Sequence, residues 1–408
     1  MSLNPSSNTA APSSQPVSLG VVGAGPVGLS LALMAQAAWP AATITVYDTR
    51  VTDERIAQDA RVLALSLGSV QTFERLGVWP AIAAVAAPIQ AVHVSQRQPA
   101  LLGLLRPREE PHLWLRASEQ GVPMLGAVAG YGSIVMPLRQ AWQACCEREP
   151  QRCVARYGTP VSAITPKAPG VEVDAGVVDQ HDVVVIAEGG VFADQARKAV
   201  HHDYRQTAWV GQVTLSGLAP GTAFERFTTS GPLALLPLPQ ANTASLVWCV
   251  DRDDDPVQAL SDAQRATVIN SLLPAAAGRV LSVSPLKAFP LGLNAEKTLV
   301  QGRCVRIGNA AQTMHPVAGQ GLNLGLRDAY ELVRGLSQAS DLDAALRRLE
   351  WQRAPDRWSM IAATDFLARS FTWQLPGLST VRGMGLELLA KAPPVQRALA
   401  RQMMFGRR

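Results

Sequence analysis

Hydrophobic positions near the start of the chain fall into two short runs separated by a helical pattern. Residues 19–22 form an apolar run that ends at Gly23, residues 29–35 continue with the apolar content of a buried helix, and residues 43–47 form a second apolar run. No charged residue occurs from Pro16 to Tyr47. This order predicts strand, turn, helix and strand, which is the opening of an α/β fold.

Three glycines occupy the first strand-to-helix turn, residues 23–28 (GAGPVG). Gly23 permits the tight turn, Gly25 lets a pyrophosphate approach the backbone, and Gly28 allows the helix to pack closely on the strand. Asp48 follows Gly28 by 20 residues, at the end of the second strand, where a carboxylate can accept hydrogen bonds from a ribose. The combination predicts a dinucleotide site, whereas an ordinary glycine turn would not require the acid.

The uncharged opening of the chain must also be compared with a membrane span. A transmembrane helix needs about 20 consecutive apolar residues, and glycines and prolines divide this stretch into shorter pieces. No Lys or Arg precedes Arg50, so the basic start of a signal peptide is missing. Residues 1–15, rich in Ser, Pro, Asn and Ala, predict a disordered leader. The sequence therefore predicts a cytoplasmic protein.

A second glycine-rich loop lies far downstream, within residues 305–328 (VRIGNAAQTMHPVAGQGLNLGLRD). Residues 304–307 predict a strand, Gly308 and Asn309 a turn, and the sequence from Gly321 onward a helix. The dipole and backbone N–H groups of this helix would stabilise an anionic ligand such as a reduced flavin ring. Asn309 is placed to hydrogen-bond a pyrophosphate or a ribityl hydroxyl. The two loops together predict the two halves of one flavin site; a helix-capping turn is the alternative for the second.

The composition agrees with a globular enzyme of two or three domains, because 48% of the 408 residues are hydrophobic and 17% are charged. The five cysteines follow neither a disulfide framework nor zinc spacing, which predicts reduced packing residues. His201, His202 and Asp203 are adjacent, but a solvated turn is the simpler interpretation. No metal site is predicted.

The net charge of +5 is confined to the C-terminus. Six basic residues and one acidic residue occur from Arg382 to the end, while the rest of the chain holds 31 of each sign. Apolar residues alternate with these charges, and the pattern breaks at Pro393 and Pro394. It is typical of basic amphipathic helices on the anionic inner face of a membrane, and equally of a helical pair packed on the protein with a solvated basic face. Nucleic-acid binding is disfavoured because no recognition motif accompanies the charge.

On these loops and several further motifs, the chain resembles the flavoprotein aromatic hydroxylases of ubiquinone biosynthesis, within the para-hydroxybenzoate hydroxylase superfamily. The resemblance extends from about Val17 to the C-terminus. Residues 308–316 (GNAAQTMHP) are the most specific, since the wider superfamily usually has Gly-Asp at their start. The further motifs are residues 59–66 (DARVLALS), 76–79 (LGVW), 88–89 (PI), 92–95 (VHVS), 223–228 (AFERFT), 231–238 (GPLALLPL), 245–249 (SLVWC) and 364–365 (TD).

The resemblance implies an α/β fold with a discontinuous Rossmann-type FAD-binding domain, a mainly antiparallel β substrate domain and C-terminal helices. Substrate-domain strands are predicted at 207–216, 223–230, 233–238 and 244–250, between turns rich in Pro, Gly and Asp. The predicted domains are FAD-binding at 16–85, 126–197 and 285–345, substrate at 86–125 and 198–284, and helical at 346–408.

The resemblance also assigns roles to single residues. Arg61 matches an arginine that lies over the flavin region and Arg139 one that contacts the cofactor, with a surface salt bridge as the alternative for each. Glu188 and Gly189 stand in the family's Ala-Asp-Gly motif, which touches FAD and reduced nicotinamide. The predicted cofactor-binding residues are Gly23, Gly25, Pro26, Val27, Gly28, Asp48, Arg61, Arg139, Glu188, Gly189, Asn309, Gly319, Gln320, Gly321, Leu322 and Asn323.

The chemistry that the resemblance implies is hydroxylation of a polyprenylated phenol. Reduced FAD would react with O2 to form a C4a-hydroperoxide, with NAD(P)H as the predicted electron donor. His315 and Pro316, in the loop that faces the flavin, are the predicted active-site residues, and a structural His-Pro turn is the alternative. Three further interpretations stay open: a non-catalytic FAD-binding subunit of a ubiquinone-synthesis complex, another FAD-dependent phenol monooxygenase, and a halogenase or isoprenoid reductase. The chain contains no Trp-x-Trp pair, which disfavours the halogenase.

Overall fold

The structure, a computed structural model, describes residues 17–51, 53–59, 61–97, 110–189, 198–370 and 378–406. The predicted leader lies outside these residues. The strands are β1 Val17–Val22, β2 Ala42–Asp48, β3 Val62–Ser66, β4 Ala87–Ile89, β5 Ala91–Gln96, β6 His112–Arg116, β7 Gly126–Gly130, β8 Cys153–Tyr157, β9 Ala163–Lys167, β10 Gly170–Asp174, β11 Val178–His181, β12 Val183–Ile186, β13 Val200–Ser216, β14 Thr222–Phe227, β15 Pro232–Pro237, β16 Thr243–Asp251, β17 Arg279–Val283, β18 Lys287–Ala295, β19 Val300–Gln301, β20 Cys304–Arg306 and β21 Gln312–Thr313. The helices are α1 Pro26–Ala38, α2 Asp53–Ala57, α3 Leu67–Arg75, α4 Trp79–Ala83, α5 Ala117–Gln120, α6 Tyr131–Arg148, α7 Asp262–Leu272, α8 Gln320–Ser337, α9 Leu342–Ser370, α10 Leu378–Ala390 and α11 Pro393–Phe405.

A six-stranded sheet of order β19-β20-β12-β1-β2-β8 forms the first layer of the fold. β1 lies in its interior and pairs in parallel with both β12 and β2. Its apolar residues are buried on both faces, and one face packs in the same core as α1, α6 and α8. The carboxyl ends of parallel strands meet at one edge, so the turns that follow β1, β2, β12 and β20 come together there.

A nine-stranded sheet, almost wholly antiparallel, forms the second unit. Its longest strand, β13, pairs with β16, β17 and β18. The four predicted substrate-domain strands are confirmed as β13, β14, β15 and β16. β13 begins earlier than predicted, so His201 to Asp203 lie in a strand, and the prediction of a turn there is wrong. Strand pairing with β18 determined this boundary, and a local composition of His and Asp could not reveal it.

Two predicted domain boundaries differ from the observed sheets. β18 pairs with β13, so residues 287–295 belong to the substrate sheet. The third FAD-binding segment, predicted at 285–345, therefore begins after β18. β4 pairs with β7 in a small sheet of order β3-β7-β4, and the substrate sheet begins only at β5, so the boundary at residue 86 is also too early. An apolar pattern identifies a strand but not the sheet that the strand joins.

The C-terminal segment is helical, as predicted, and its first helix begins at Leu342. The last helix begins at Pro393, where the pattern predicted a break and where a proline's missing N–H is tolerated. Ala400 and Met404 are buried in a cluster with residues of β6 and β7. Among the described helices, none combines the length and the apolar character needed to cross a bilayer. All five cysteines are free and four are buried, as predicted for packing residues.

Candidate flavin site

The first glycine loop joins β1 to α1 and leaves the helix N-terminus without a side-chain cap. Gly25 is the N-cap residue and Pro26 follows in the first turn. Gly23 has a φ of +106°, and a Cβ on Gly28 would lie 2.0 Å from the carbonyl oxygen of Gly23. A Cβ on Gly25 would meet only the hydroxyl of Tyr131, at 3.7 Å, among the described atoms. The loop therefore needs glycine for its shape at Gly23 and Gly28, and it leaves open space at Gly25.

Asp48 ends β2 beside this loop and is buried. Its carboxylate accepts a hydrogen bond from the backbone N–H of Ala24 at 2.7 Å and two from the guanidinium of Arg50 at 2.8 and 2.9 Å. Burial alone would raise the pKa of Asp48, but the hydrogen bonds and charge of Arg50 outweigh it and hold the pKa below its usual value. Arg50, which also donates to the Tyr131 hydroxyl, was missed in the sequence. Arg50 could have been identified in the sequence as the next charged residue after Asp48.

The end of β12 approaches the same loop. A Cβ on Gly23 would lie 2.8 Å from the backbone nitrogen of Glu188. Burial and the charge of Asp48 raise the pKa of the Glu188 carboxyl. Gly189 follows, and a Cβ added there would meet no described atom within 4 Å. The motif that contains Glu188 and Gly189 thus lies beside the first glycine loop.

The second glycine loop runs from β20 to α8 and presents another helix N-terminus without a side-chain cap. Gly308 and Gly319 both have a φ of +59°. A Cβ on Gly319 would lie 2.9 Å from the Cβ of Ala64, so a larger residue would push the loop away from β3. Asn309 and residues 319–323 line a cavity at this helix N-terminus.

Val27 holds the two loops together. A Cβ on Gly308 would lie 3.4 Å from a methyl of Val27, and a Cβ on Gly325 would lie 2.8 Å from the same methyl. A Cβ on Gly325 would also lie 2.9 Å from the Cα of Gly308. The N-terminal part of α1 therefore packs directly against the second loop and α8. Val27, predicted to bind the cofactor, is seen here in a packing role.

Asn323 fixes the start of α8 to β3 and α3. Its side-chain oxygen accepts hydrogen bonds from the backbone N–H of Ser66 at 2.8 Å and the hydroxyl of Ser69 at 2.7 Å. Its amide nitrogen donates to the carbonyl oxygens of Ala64 at 3.1 Å and Gly319 at 2.9 Å. All four hydrogen bonds available to an amide side chain are made within the protein. Asn323, predicted to touch the cofactor, is therefore a positioning residue in this structure.

A buried polar network ties the second loop to α9. Arg353 donates to Asp328 at 2.7 Å and to Asp356 at 2.9 Å, and all three side chains are at most 5% exposed. Arg357 donates to the side-chain oxygen of Gln312 at 2.6 Å, within the loop itself. The sequence analysis missed these residues, although the helical spacing of Arg353, Asp356 and Arg357 within α9 places the three on one side of the helix.

Lys198 supports the loop from the other side. Its ammonium group donates to the carbonyl oxygen of Asn309 at 2.9 Å, and its backbone N–H donates to the Asn294 side chain at 2.7 Å. Burial lowers the pKa of Lys198 to about 8. No motif in the sequence identified Lys198.

A cavity of about 350 Å³ opens in front of the second loop. Its walls are the second loop, β3, the inner face of the substrate sheet and α11. Most of the lining is aliphatic: the substrate sheet and its neighbours contribute Val92, Leu115, Leu125, Ala234, Leu236 and Val247, and α11 contributes Ala400, Met403 and Met404.

Residues 171–361 match a family of FAD-binding domains. The 3-demethoxyubiquinol 3-hydroxylase of Escherichia coli (strain K12) is 29% identical over 94% of this chain and 97% of its own length. The ubiquinone hydroxylase UbiL of Rhodospirillum rubrum is 35% identical over 49% of this chain and 48% of its own. The chain is a homologue of the ubiquinone-biosynthesis hydroxylases. Its enzyme class is that of FAD-dependent aromatic monooxygenases.

Solved structures agree on the fold. The HpxO protein of Klebsiella pneumoniae, solved with FAD and uric acid, has a TM-score of 0.70 at 17% identity and covers 96% of this chain and 97% of its own. PqsL of Pseudomonas aeruginosa, described as a probable FAD-dependent monooxygenase, also has a TM-score of 0.70 at 17% identity, over 91% of this chain and 100% of its own. The predicted fold, that of the para-hydroxybenzoate hydroxylase superfamily, is confirmed.

The residues of the two loops fit FAD. Two helix N-termini without side-chain caps are packed together through Val27, and such termini bind anionic groups. The space in front of Gly25 would hold a pyrophosphate, and the carboxylate of Asp48 lies at the same edge. The flavin half would lie at the N-terminus of α8, beside the cavity.

The two predicted family arginines lie near this site but outside the cavity lining. Arg61 pairs with Asp59, and its guanidinium carbon lies 4.1 Å from the centre of the Tyr131 ring. Arg139 is buried and pairs with Asp53 at 2.7 Å. Its Nη1 atom is buried without a hydrogen-bond partner, which leaves one donor for a cofactor or a water. A cofactor role for either arginine stays a prediction.

His315 lies in the second loop and lines the cavity. Its Nδ1 accepts a hydrogen bond from the backbone N–H of Val317 at 3.2 Å, so its Nε2 carries the proton that faces the Gln206 side-chain oxygen at 3.0 Å. Burial lowers the pKa of His315 to about 3. Because both ring nitrogens are engaged, His315 shapes the loop as a neutral ring. Pro316, the second predicted active-site residue, lines the same cavity, and a catalytic role for either stays a prediction.

Proposed function

We propose that the hydroxylase acts on a polyprenylated phenol of ubiquinone biosynthesis, with O2 as oxidant and NAD(P)H as electron donor. The observation that carries the proposal is the cavity, whose aliphatic walls connect the second glycine loop to α11. A phenol ring would lie at the loop, and a prenyl chain would follow the aliphatic walls.

The size of the cavity favours a substrate whose prenyl chain extends beyond the cavity. Ligand pockets of about 300–1,000 Å³ hold molecules of drug size, and the observed volume of about 350 Å³ is at the lower end. A ring and its first isoprene units would fill such a space. The remaining units would pass along α11, which lines the cavity with Ala400 and Met403 and exposes Val395 and Leu399 to solvent.

The reaction follows a simple balance. FAD, when bound, supplies the two-electron redox chemistry by which one oxygen atom of O2 enters the ring and the other leaves as water. The residues of the chain bind and orient the ring, and the aliphatic walls exclude water from it. The N-terminus of α8 stabilises negative charge that develops beside it. Neutral His315 holds the loop in place without adding a charge.

We propose further that the protein works as a peripheral protein on the cytoplasmic face of the membrane. Met384, Leu388, Val395 and Leu399 of α10 and α11 are large apolar residues with exposed side chains. Lys391, Arg397 and Arg401 are exposed beside them. Apolar side chains flanked by cations suit an anionic lipid surface. The same helices also pack on the protein, so the two interpretations of the C-terminus are compatible.

Binding to vesicles tests the membrane proposal. We expect the protein to float with vesicles that contain anionic phospholipid, less so with neutral vesicles, and less at high salt because the charges are screened. The double variant R397E/R401E should lose this binding. The matched control K287E/R279E makes the same charge change at exposed positions of β17 and β18 and should keep it. Equal binding by both double variants would contradict the proposal.

Deletion of the gene in its host tests the function. We expect a polyprenyl-phenol that lacks one hydroxyl to accumulate in lipid extracts analysed by mass spectrometry, and its structure would name the ring position. The purified protein loaded with FAD should convert that phenol to a product heavier by one oxygen atom, with matching consumption of NAD(P)H. A protein that retains FAD but neither oxidises NAD(P)H nor forms product would instead favour the non-catalytic subunit.

The ring position is the finer part of the proposal. The Escherichia coli relative is named for hydroxylation at position 3 of a demethoxyubiquinol. The motifs of the chain taken together resemble instead the hydroxylase that acts on 2-octaprenyl-6-methoxyphenol. Both are polyprenylated phenols, and the accumulated precursor distinguishes them.

A further inference from the structure

The substrate sheet and the second glycine loop are joined at two neighbouring points. The first is a backbone pairing, in which β21 of the loop pairs with β18 at Asn294 and Ala295. The second is a side-chain contact two residues after β21, between His315 and Gln206 of β13. Residues 317–319 then form one turn of 3-10 helix that leads into α8. His315 therefore lies where the chain passes from the substrate sheet to the N-terminus of α8.

The imidazole of His315 makes one hydrogen bond to each side of this passage. Its Nε2–H donates to the side-chain oxygen of Gln206 at 3.0 Å, and its Nδ1 accepts from the backbone N–H of Val317 at 3.2 Å. A neutral imidazole has one donor and one acceptor, so the ring satisfies both partners only with its proton on Nε2. Gln206 and His315 are buried, with 3% and 2% of their surface exposed. Loss of either bond would therefore leave a buried polar group unpaired.

β13 contains a bulge directly before Gln206. Asp203 and Gln206 pair with consecutive residues of β18, so the two residues between them have no paired counterpart there. One of these two, Arg205, has a φ of +54°, in the left-handed region that is uncommon outside glycine. Such a conformation costs free energy and persists where the surrounding contacts hold it. Bulges are frequent beside active sites, where they redirect a side chain.

The other residue of the bulge, Tyr204, contacts the same imidazole. Its ring meets the ring of His315 edge to face, with 5.4 Å between the two centres. Its hydroxyl donates to Asp365 of α9 at 3.0 Å. The backbone N–H of Arg252, at the end of β16, donates to the carbonyl oxygen of Arg205 at 2.7 Å. The bulge is thus tied to α9 and β16, and the side chains on both sides of Arg205 contact His315.

We propose that Gln206 is a positioning residue for the flavin: through the neutral ring of His315 it sets the distance between the substrate sheet and the N-terminus of α8. Gln206 is absent from the described lining of the cavity, whereas His315 is part of it. Gln206 therefore acts on the reaction through His315. A displacement of about 1 Å between reacting groups can lower a rate by about 10²-fold. The inference requires FAD but no particular substrate.

NMR of the apoprotein with labelled histidine tests the hydrogen-bond pattern. We expect the ring signals of His315, identified by their loss in H315Q, to show the proton on Nε2 at pH 7. Q206M keeps a side chain of similar length but offers only a weak acceptor. The Nε2 proton should then exchange with water about tenfold faster, as expected when one buried hydrogen bond is lost. A proton on Nδ1 in the wild type, or an unchanged exchange rate in Q206M, would overturn the inference.

FAD binding and turnover test the consequence for the flavin. The dissociation constant of Q206M for FAD should rise about tenfold, because the start of α8 is less firmly placed. Q212M makes the same substitution at an exposed position of the same strand and should match the wild type. With a farnesylated 2-methoxyphenol as the probe, kcat of Q206M should fall by up to about 10²-fold at nearly constant KM. Wild-type values of both the FAD affinity and kcat in Q206M would refute the positioning role.

Substitutions of His315 give a second test, which also serves if Q206M does not fold. The amide of H315Q offers a donor and an acceptor, as the neutral ring does, whereas H315M offers no donor and only a weak acceptor. We expect the FAD affinity of H315Q to lie between those of the wild type and H315M. Equal losses in the two variants would show that packing alone places the loop, against the inference. A wild type that does not hydroxylate the probe would count against the proposed function, and the NMR and FAD measurements would still decide the inference.

Discussion

The two glycine loops present the same element, a helix N-terminus without a side-chain cap, but they are held in different ways. The first is held by backbone packing within six residues, where Gly28 leaves no room between α1 and the carbonyl of Gly23. The second is held by side chains from distant parts of the chain. Lys198 and Arg357 bond to the loop from distant positions, and Asn323, at the start of α8, bonds that helix to β3.

The shape of the first loop therefore depends on close backbone packing, and the position of the second loop depends on hydrogen bonds and ion pairs. A substitution at Gly28 acts locally, because the nearest atom that its Cβ meets, the carbonyl oxygen of Gly23, belongs to the same turn. A substitution that weakens the second loop can lie on α9, far along the chain, because the network of Arg353 and Asp328 carries the contact. The four predictions below test this contrast, beginning with the largest effect.

Removing the centre of the α9 network should have the largest effect on stability. R353M leaves Asp328 without its close arginine partner in a buried site, and Asp356 loses one of its two. Breaking a buried pair in this way costs about 3–5 kcal/mol of unfolding free energy. Urea unfolding followed by circular dichroism measures it. R334M, which breaks an exposed pair with Glu331 on α8, should cost about 1 kcal/mol or less. Similar losses in both variants would contradict a structural role for the network.

Alanine substitutions at Gly28 and Gly25 should change different properties of the protein. G28A should lower its stability, and G25A should lower its affinity for FAD. G28A places a Cβ 2.0 Å from a backbone oxygen, and such overpacking costs about 1–3 kcal/mol of stability. G25A meets only the Tyr131 hydroxyl at 3.7 Å, so the apoprotein should keep its stability. Its dissociation constant for FAD should rise on the order of tenfold, because the methyl group fills the predicted pyrophosphate space. An unchanged FAD affinity in G25A would contradict that placement.

Removing the amide of Asn323 tests the polar control of the second loop. N323L leaves the N–H of Ser66 and the carbonyl of Ala64 without their hydrogen-bond partner, at a cost of about 1–3 kcal/mol. FAD should also bind more weakly, since the start of α8 is no longer fixed. Thermal unfolding and FAD titration measure the two effects. N323D, which can accept but not donate, should fall between N323L and the wild type; equal losses in both variants would show that the donated bonds alone matter.

The smallest expected effect is a dependence of stability on pH. Burial lowers the pKa of His315 to about 3 and of His93 to about 4, and it also lowers the pKa of His181. Between about pH 4 and pH 6.5 the unfolded chain therefore binds more protons than the folded chain, so stability falls as the pH drops through this range. The melting temperature between pH 7 and pH 5 measures the slope. H315Q should flatten it, and H201Q, at an exposed position of β13, should not. A wild-type melting temperature that rises toward pH 5 would contradict the sign.

Local spacing determined much of the first half of the site. The run from Gly23 to Gly28, with Asp48 at the end of the next strand, could be interpreted from the sequence because the contacts of Gly28 with Gly23 and of Asp48 with Ala24 lie within one βαβ unit. The second loop was found from its own glycines. The roles of single residues in the two loops were harder to predict, because the packing of Val27 in the first loop and the hydrogen bonds of Asn323 beside the second are seen only in the structure.

The sequence by itself determined the fold class, the two glycine loops, FAD as the cofactor and the resemblance to aromatic hydroxylases, because these depend on short motifs and on periodicity. Only the tertiary structure decided which sheet β4 and β18 join, how α9 supports the second loop, and which elements enclose the cavity. Those facts depend on contacts between residues that are tens to hundreds of positions apart. Periodicity can place a residue on one face of a strand, but the cavity on that face exists only once the second loop, the substrate sheet and α11 have come together.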